Sequence, residues 1–382
     1  MDRRKATLGG AGIGVVAGVV GLVLLASPAG AGPAPSLPAT TPQALVQSVL
    51  TASLPSMSGT VAVDNNLGLP AVPGIPELAN GTSQLRVWSD GTGRTRVSIP
   101  TSSSEQTFVD DGTTLYSWDS SGRTVSETPV SKDQAHPKAN GTPLSTDTPT
   151  DPASLAKQLV GALQASSDIS VDGTDTVAGQ PAYDLVLTPK ANQRTLLREV
   201  KIAIDANKHV PLQLTVLGDN SSTPAVQVGF SSVDYGPQQS SLFTFTPPAG
   251  ATITKHSDST PGKAQKDASK LTPKIVGSGW DTVAIITLPS GSANATSGSQ
   301  GGSTDGSADG SGMPGLSGGS DSHATSADPL SLARQFGTPV SGSWGSGWVI
   351  GTNIGTALIT SDGKVAVGLV PQQVLTEALG SK

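Results

Sequence analysis

The chain has 382 residues, 46 of them glycine and 29 proline, with 3% aromatic residues, no cysteine and a formal net charge of -6 at pH 7. The absence of thiols excludes disulfides, thiolate metal sites and acylation at a lipoprotein cysteine, and the mild, scattered charge argues against a nucleic-acid groove. Any core must be built from Val, Leu, Ile and Ala, and burial alone must stabilise it. At the N-terminus Arg3, Arg4 and Lys5 precede an uncharged run over residues 6–26, and Ala29-Gly30-Ala31 offers a small-residue cleavage site. That order is the order of a secretory signal, and the run is also long enough to cross a hydrocarbon layer of about 30 Å. Residues 1–31 therefore read as a signal peptide or N-terminal membrane anchor, either cleaved or retained as a single-pass anchor. Everything after Pro33 is expected outside the cytoplasm, on the outer face of the cytoplasmic membrane or secreted.

Residues 32–41 form a tether. Thr41-Pro42 then starts a helix, with Thr as N-cap and Pro at the first helical position, and Leu45, Val49, Leu50 and Leu54 give it one apolar stripe. A short strand is predicted over 58–63, and Pro70 and Pro76 prevent its continuation. Strands follow over 83–88, 94–99, 105–109 and 113–118, with Asp90-Gly91 and Asp111-Gly112 as hairpin turns. After a polar, proline-rich loop over 131–150, a second helix begins at Asp151-Pro152 and places Leu155, Leu159 and Leu163 four apart.

The clearest alternation lies in residues 177–245. Tyr183, Leu185 and Leu187 alternate with Ala182, Asp184 and Val186; Val200, Ile202 and Ile204 with Lys201, Ala203 and Asp205. Leu212, Leu214 and Val216 alternate with Gln213 and Thr215, and Val226, Val228 and Phe230 with Gln227 and Gly229. Period-2 patterns with short connections predict an antiparallel meander with one apolar face. Phe243, Phe245, Pro247 and Pro248 close this body near residue 252. Residues 253–289 are a connector with one strand, 290–327 a Gly/Ser-rich disordered linker, and 328–382 a small C-terminal module. The module has a short helix, a Trp344/Trp348 segment, a hairpin at Asp362-Gly363 and a last helix carrying Val374, Leu375 and Leu379. It is too small for a core of its own, so residues 275–288 are expected to pair with it.

The fold class is α+β: a strongly curved antiparallel sheet, an unclosed β-barrel of about ten strands, with helices packed on the concave side as a lid and a small α+β C-terminal tail. Ten strands about 4.8 Å apart would span nearly 50 Å if flat, whereas each helix covers a band about 10 Å wide. Twist must curl such a sheet around its apolar side, and what the helices leave uncovered becomes either packed core or an apolar pocket. The candidate lining is Leu185, Leu187, Ile202, Ile204, Leu212, Leu214, Val216, Val226, Val228 and Phe230 from the strands, with Leu155 and Leu159 from the second helix. An acyl chain buried there would return about 0.8 kcal/mol per methylene, without any polar anchor.

Five stretches resemble the LolA-like family of lipoprotein carriers and their RseB-like relatives, in an actinobacterial-type form. They are Met57-Ser58-Gly59-Thr60-Val61 after the first helix, Leu85-Arg86-Val87-Trp88-Ser89-Asp90-Gly91 leading to Arg94-Thr95-Arg96, and the run from Val177-Ala178-Gly179 through Tyr183 to Thr188-Pro189. Ile204-Asp205 with His209-Val210-Pro211-Leu212, and Phe243-Thr244-Phe245-Thr246-Pro247-Pro248-Ala249-Gly250, complete the ordered set over residues 42–252. The resemblance implies a lipid-binding domain in which helices lie as a lid over an acyl-binding cavity, held by an arginine after an early strand. That arginine is not matched in place; Arg94 is the nearest candidate for a polar gate and Arg86 the second. The implied partners are lipid acyl chains or a lipoprotein and the cytoplasmic membrane surface; the RseB-like alternative is a regulatory module that binds a membrane protein. A surface protein with a filled core is the third possibility.

No catalytic constellation is legible. His136, His209, His256 and His323 are scattered, Ser346 lies in a Trp-Gly-Ser-Gly-Trp bend rather than a nucleophile elbow, and Asp110-Asp111 sits in a hairpin turn. Neither enzyme activity nor a metal, cofactor or nucleic-acid partner is expected.

Overall fold

In a computed structural model of the chain, residues 34–69, 80–101, 103–130, 152–219, 221–255, 273–287 and 329–380 are described. The predicted signal or anchor, the loop over 131–150 and the linker over 290–327 lie outside them. No helix among the described residues is long and apolar enough to cross a membrane.

Helix α1 (Pro42–Thr51) begins where the sequence signals it, with the Ala44 amide donating to Thr41 Oγ1 at 3.2 Å. It leads into a meander of β1 (Ser56–Asn65), β2 (Gly81–Asp90), β3 (Thr95–Pro100), β4 (Glu105–Asp110), β5 (Thr114–Asp119) and β6 (Thr124–Pro129). Helix α2 (Pro152–Leu163) opens a second meander, β7 (Ser167–Val177), β8 (Gln180–Pro189), β9 (Leu197–Asp205), β10 (Pro211–Gly218) and β11 (Val226–Tyr235). The meanders join where β1 pairs with β11, and β12 (Thr252–Lys255) completes a sheet of order β12-β6-β5-β4-β3-β2-β1-β11-β10-β9-β8-β7. Its two edges, β12 and β7, are not paired with each other, so the barrel is unclosed.

Two expectations are corrected. The sheet has twelve strands rather than about ten, because β6, β7 and β12 are polar and carry little alternating apolar signal. It is also not wholly antiparallel: β12 runs parallel to β6. Residues 236–251 supply the crossover of a dozen or more residues that a parallel pair needs, and they do so as a strap over the face opposite the helices. Phe243 of the strap is buried, Arg96 Nη1 donates to the Leu242 carbonyl at 3.4 Å, Phe245 packs on Tyr116 with ring centroids 5.3 Å apart, and Arg123 Nη2 donates to the Ala249 carbonyl at 2.6 Å.

Both helices pack on the face that carries Leu185, Ile202 and Leu214. The deepest residues of α2 are Ala156, Val160 and Leu163, with Leu155 and Leu159 half-buried beside them. Small Ala156 allows the helix to approach the sheet, so the buried stripe is turned away from Leu155 and Leu159. Between β1 and β11, a Cβ on Gly59 would stand 2.8 Å from the Phe230 ring, so the close passage of that ring requires glycine.

The C-terminal module is an antiparallel six-stranded sheet of order β13-β14-β18-β17-β16-β15. It comprises β13 (Lys274–Val276), β14 (Val283–Thr287), β15 (Thr338–Gly342), β16 (Gly345–Gly351), β17 (Thr356–Thr360) and β18 (Lys364–Gly368). Helix α4 (Gln372–Gly380) buries Val374, Leu375 and Ala378 against Val283, Ile285, Leu358 and Ala366, and α3 (Pro329–Phe336) sets Leu330 and Ala333 on Ile359 from the other face.

The module docks on the body through its own buried side chains. Trp280, in a 3-10 turn Gly279–Asp281, and Ile354 are both part of the body's core cluster. The indole Nε1 donates to Ser167 Oγ at 2.8 Å, and the Trp280 amide donates to Gln193 Oε1 at 3.0 Å. Gly279 has φ +68 and a Cβ there would lie 2.2 Å from Ser166 Oγ, so only glycine permits this approach. The Leu196 amide and Thr195 Oγ1 donate to the Leu369 carbonyl at 3.0 and 2.6 Å, and the Asn353 amide donates to the Leu67 carbonyl at 2.8 Å. The exposed pair Arg194–Glu377 at 2.6 Å adds little by comparison. Trp280→Ala should cost about 3–5 kcal/mol of unfolding free energy, and Trp280→Phe about 1–2 kcal/mol, read by chemical denaturation. A Trp280→Ala loss below 1 kcal/mol would show the module to be only loosely attached.

Candidate functional site

The predicted lining residues converge. Leu185, Leu187, Ile202, Ile204, Leu214 and Val216 join one core cluster with Leu45 and Val49 of α1 and Ala156, Val160 and Leu163 of α2. Leu212, Val228 and Phe230 join a second with Met57, Val61, Leu85, Val87 and Val97. Val226 and Leu155 are half-buried against both clusters, and Leu159 is half-buried against the first.

This region is packed. Leu185, Leu187, Ile202, Ile204 and Leu212 expose 0% of their surface, so no water-sized space touches them. Trp280 and Ile354 of the C-terminal module fill part of what the two helices leave uncovered. Sequence reasoning missed both residues, because nothing local to them announces a partner cluster on β8–β10. Two pockets, of about 240 and 210 Å³, lie elsewhere and are lined by none of the predicted residues except Arg86.

The two candidate gate arginines part company. Arg94 donates from Nε to Asp90 Oδ2 at 2.6 Å and lies over the Phe243 ring at 5.5 Å, so it fastens the β2–β3 turn to the strap. Burial would raise the Asp90 pKa, but hydrogen bonds from Thr92 and Arg94 outweigh it and hold the carboxyl at about 2. Arg86 lies between buried Leu85 and Val87 and is exposed on the face opposite the helices.

Two further acids shape the body. Asp205 is buried at the β9–β10 turn and accepts from Tyr235 Oη at 2.6 Å and from the amides of Asn207 and Lys208 at 2.7 and 2.8 Å. Burial, together with that bond to Asp205, pushes the Tyr235 phenol above its ordinary value. On β8, burial first and then the Asp175 and Asp172 carboxylates push Asp184 up to about 6, against the opposing charge of Lys201.

No protein-family model matches the chain, and no curated protein does. Among solved structures, MucB in complex with MucA from Pseudomonas aeruginosa is similar at 14% identity and a TM-score of 0.40, over 88% of this chain and 95% of that one. A LolA superfamily protein from Nitrosomonas europaea matches at 14% identity and a TM-score of 0.24, over 54% and 99%. A putative outer membrane lipoprotein-sorting protein domain from Vibrio parahaemolyticus matches at 9% identity and a TM-score of 0.17, over 53% and 94%. The functional reading is carried by this chain's own strand order and packing.

A carboxyl whose folded pKa lies above its unfolded value binds its proton more tightly when folded. Asp184, at about 6 against 3.8, therefore lowers stability as pH rises through that interval. Asp184→Asn should stabilise the protein at pH 7 by about 1 kcal/mol after solvent screening, and by almost nothing at pH 4. Equal effects at both pH values in denaturant titrations would remove Asp184 as the cause.

Proposed function

We propose that this chain is an exported, non-catalytic binding module of the RseB-like kind, which holds a membrane-protein partner and whose body and C-terminal module act as one unit. The observation that supports this over acyl carriage is the filled interior, with Trp280 and Ile354 seated among Leu185, Leu187, Ile202 and Leu214. A carrier needs room for a hydrocarbon tail, and residues that expose 0% of their surface offer none. Among the described residues β15 ends its sheet without a further strand, and its outer backbone groups could take an added strand.

Carriage of an acyl chain is the second reading, favoured by the aliphatic face beneath α1 and α2. Lifting the helices exposes Leu45, Val49, Ala156, Val160 and Leu163, at a cost of roughly 10 kcal/mol. A long acyl chain returns about as much at 0.8 kcal/mol per methylene. Cargo would therefore have to exchange with the helices rather than fill a standing cavity.

Solvent extraction of the purified protein followed by mass spectrometry should yield no stoichiometric acyl species, and a fluorescent fatty acid should not be taken up. A photo-cross-linker at exposed Ser341 on β15 should repeatedly capture one membrane protein that a cross-linker at exposed Gln47 on α1 does not. Recovery of one bound acyl chain per protein would overturn the proposal in favour of carriage.

A further inference from the structure

The pocket of about 240 Å³ lies on the face of the large sheet opposite the helices, over β2, β1 and β11. Six side chains form it as a grid of two rows. Thr60 stands between Arg86 and Ser232, and Ser58 stands between Trp88 and Asp234. The middle strand thus carries short hydroxyl side chains, while the flanking strands carry a guanidinium and an indole on one side and a carboxylate on the other. With strands about 4.8 Å apart, the two walls are about 10 Å apart and the floor between them is low.

A β-bulge creates the arrangement. Val228 and Phe230 point into the core, so simple alternation would send Ser232 and Asp234 inward as well. The register shift at Thr60/Val61 pairs Val61 with Phe230 but Thr60 with Ser232. Val233 and Tyr235 turn inward instead, where Tyr235 is fixed by its bond to Asp205, and the polar pair turns out. Re-aiming side chains next to a binding site is a recurrent use of a bulge. Among the described residues, no hydrogen bond or ion pair engages the side chains of Ser58, Thr60, Arg86, Trp88, Ser232 or Asp234. Glu105, the acid whose charge interacts with Arg86, is itself held by Ser98 and Thr107 at 2.6 and 3.0 Å.

We propose that this pocket binds a neutral saccharide, a pyranose ring with one face toward Trp88 and its hydroxyls between Arg86 and Asp234. A guanidinium only donates and a carboxylate only accepts, so a ligand that spans them must do both. A polyol does so without carrying charge. Opposite charges on the two walls disfavour a net anion or a net cation, since each would face its own sign on one side. The indole suits the C–H face of a sugar ring, and an acyl chain would leave the polar walls unpaired. The site is separate from the partner reading and survives if that reading fails.

The test follows the Trp88 indole N–H resonance of the exported chain, assigned with Trp88→Phe, during titration with methyl β-D-glucopyranoside and methyl α-D-mannopyranoside. A saturable shift in the millimolar range is expected with at least one of them. Arg86→Ala and Asp234→Ala should each weaken it about tenfold, and Arg198→Ala should leave it unchanged. Ser58→Val, which fills the floor with a good strand former, should abolish binding even if the Trp88 variant folds poorly. Sedimentation with phosphatidylcholine vesicles, with and without a glucosyl lipid, separates a lipid headgroup from a free sugar. Pelleting that requires both the glucosyl lipid and Arg86 supports the headgroup as a source. No shift with either glycoside and no such pelleting, an equal shift with the zwitterion glycine betaine, or equal pelleting with plain vesicles overturns the proposal.

Discussion

One face of the unclosed twelve-stranded sheet carries Leu185, Leu187, Ile202, Ile204, Leu212 and Leu214, and that surface must be removed from water. Two helices of ten and twelve residues cover only part of it. The structure meets the remainder by bringing Trp280 and Ile354 from the C-terminal module into the same cluster. Burial of side chains this size is worth roughly 2–3 kcal/mol each, more than any surface ion pair at the junction. Body and module therefore meet in one shared cluster, and separating them would expose it.

The other face of the sheet follows a different rule. The strap over 236–251 fastens to it through Arg96, Tyr116 and Arg123, and Phe243, Val109 and Val125 are buried. Over β11, β1 and the Arg86–Trp88 stretch of β2 the outward positions are polar. The change between these regimes depends on local devices: the bulge at Thr60/Val61, the Asp90–Arg94 pair under Phe243, and the Asp205–Tyr235 bond at the β9–β10 turn. Each charged group in these devices is hydrogen-bonded, which is why its partial burial is tolerated.

Leu185, Leu187, Ile202, Ile204 and Leu212 expose none of their surface. Leu45, Val49, Ala156, Val160 and Leu163 of the helices pack on the aliphatic face, so acyl binding would compete with the protein's own packing. The polar pocket at Trp88 lies away from the helices and is free of any such competition.

Much of the architecture was legible in the residues. Thr41-Pro42 marked the first helix, Asp90-Gly91 and Asp111-Gly112 marked hairpins, and period-2 runs over β8 to β11 identified the buried face, because these are local signals set by backbone geometry and alternation. The polar strands β6, β7 and β12 were not legible: β7 and β12 are the edges of the sheet and pair on one side only, and β6, between β5 and β12, buries a single apolar residue, Val125. The burial of Leu185 or Ile202 was readable; whether they enclosed space was not. That outcome depends on Trp280 and Ile354, which lie far along the chain and reach the cluster only by docking. The side on which Arg86 or Asp234 emerges was likewise decided by tertiary pairing, because one bulge inverts every residue that follows it. Alternation in the sequence therefore determined which strands have a core face, and long-range packing alone decided what fills the space in front of it.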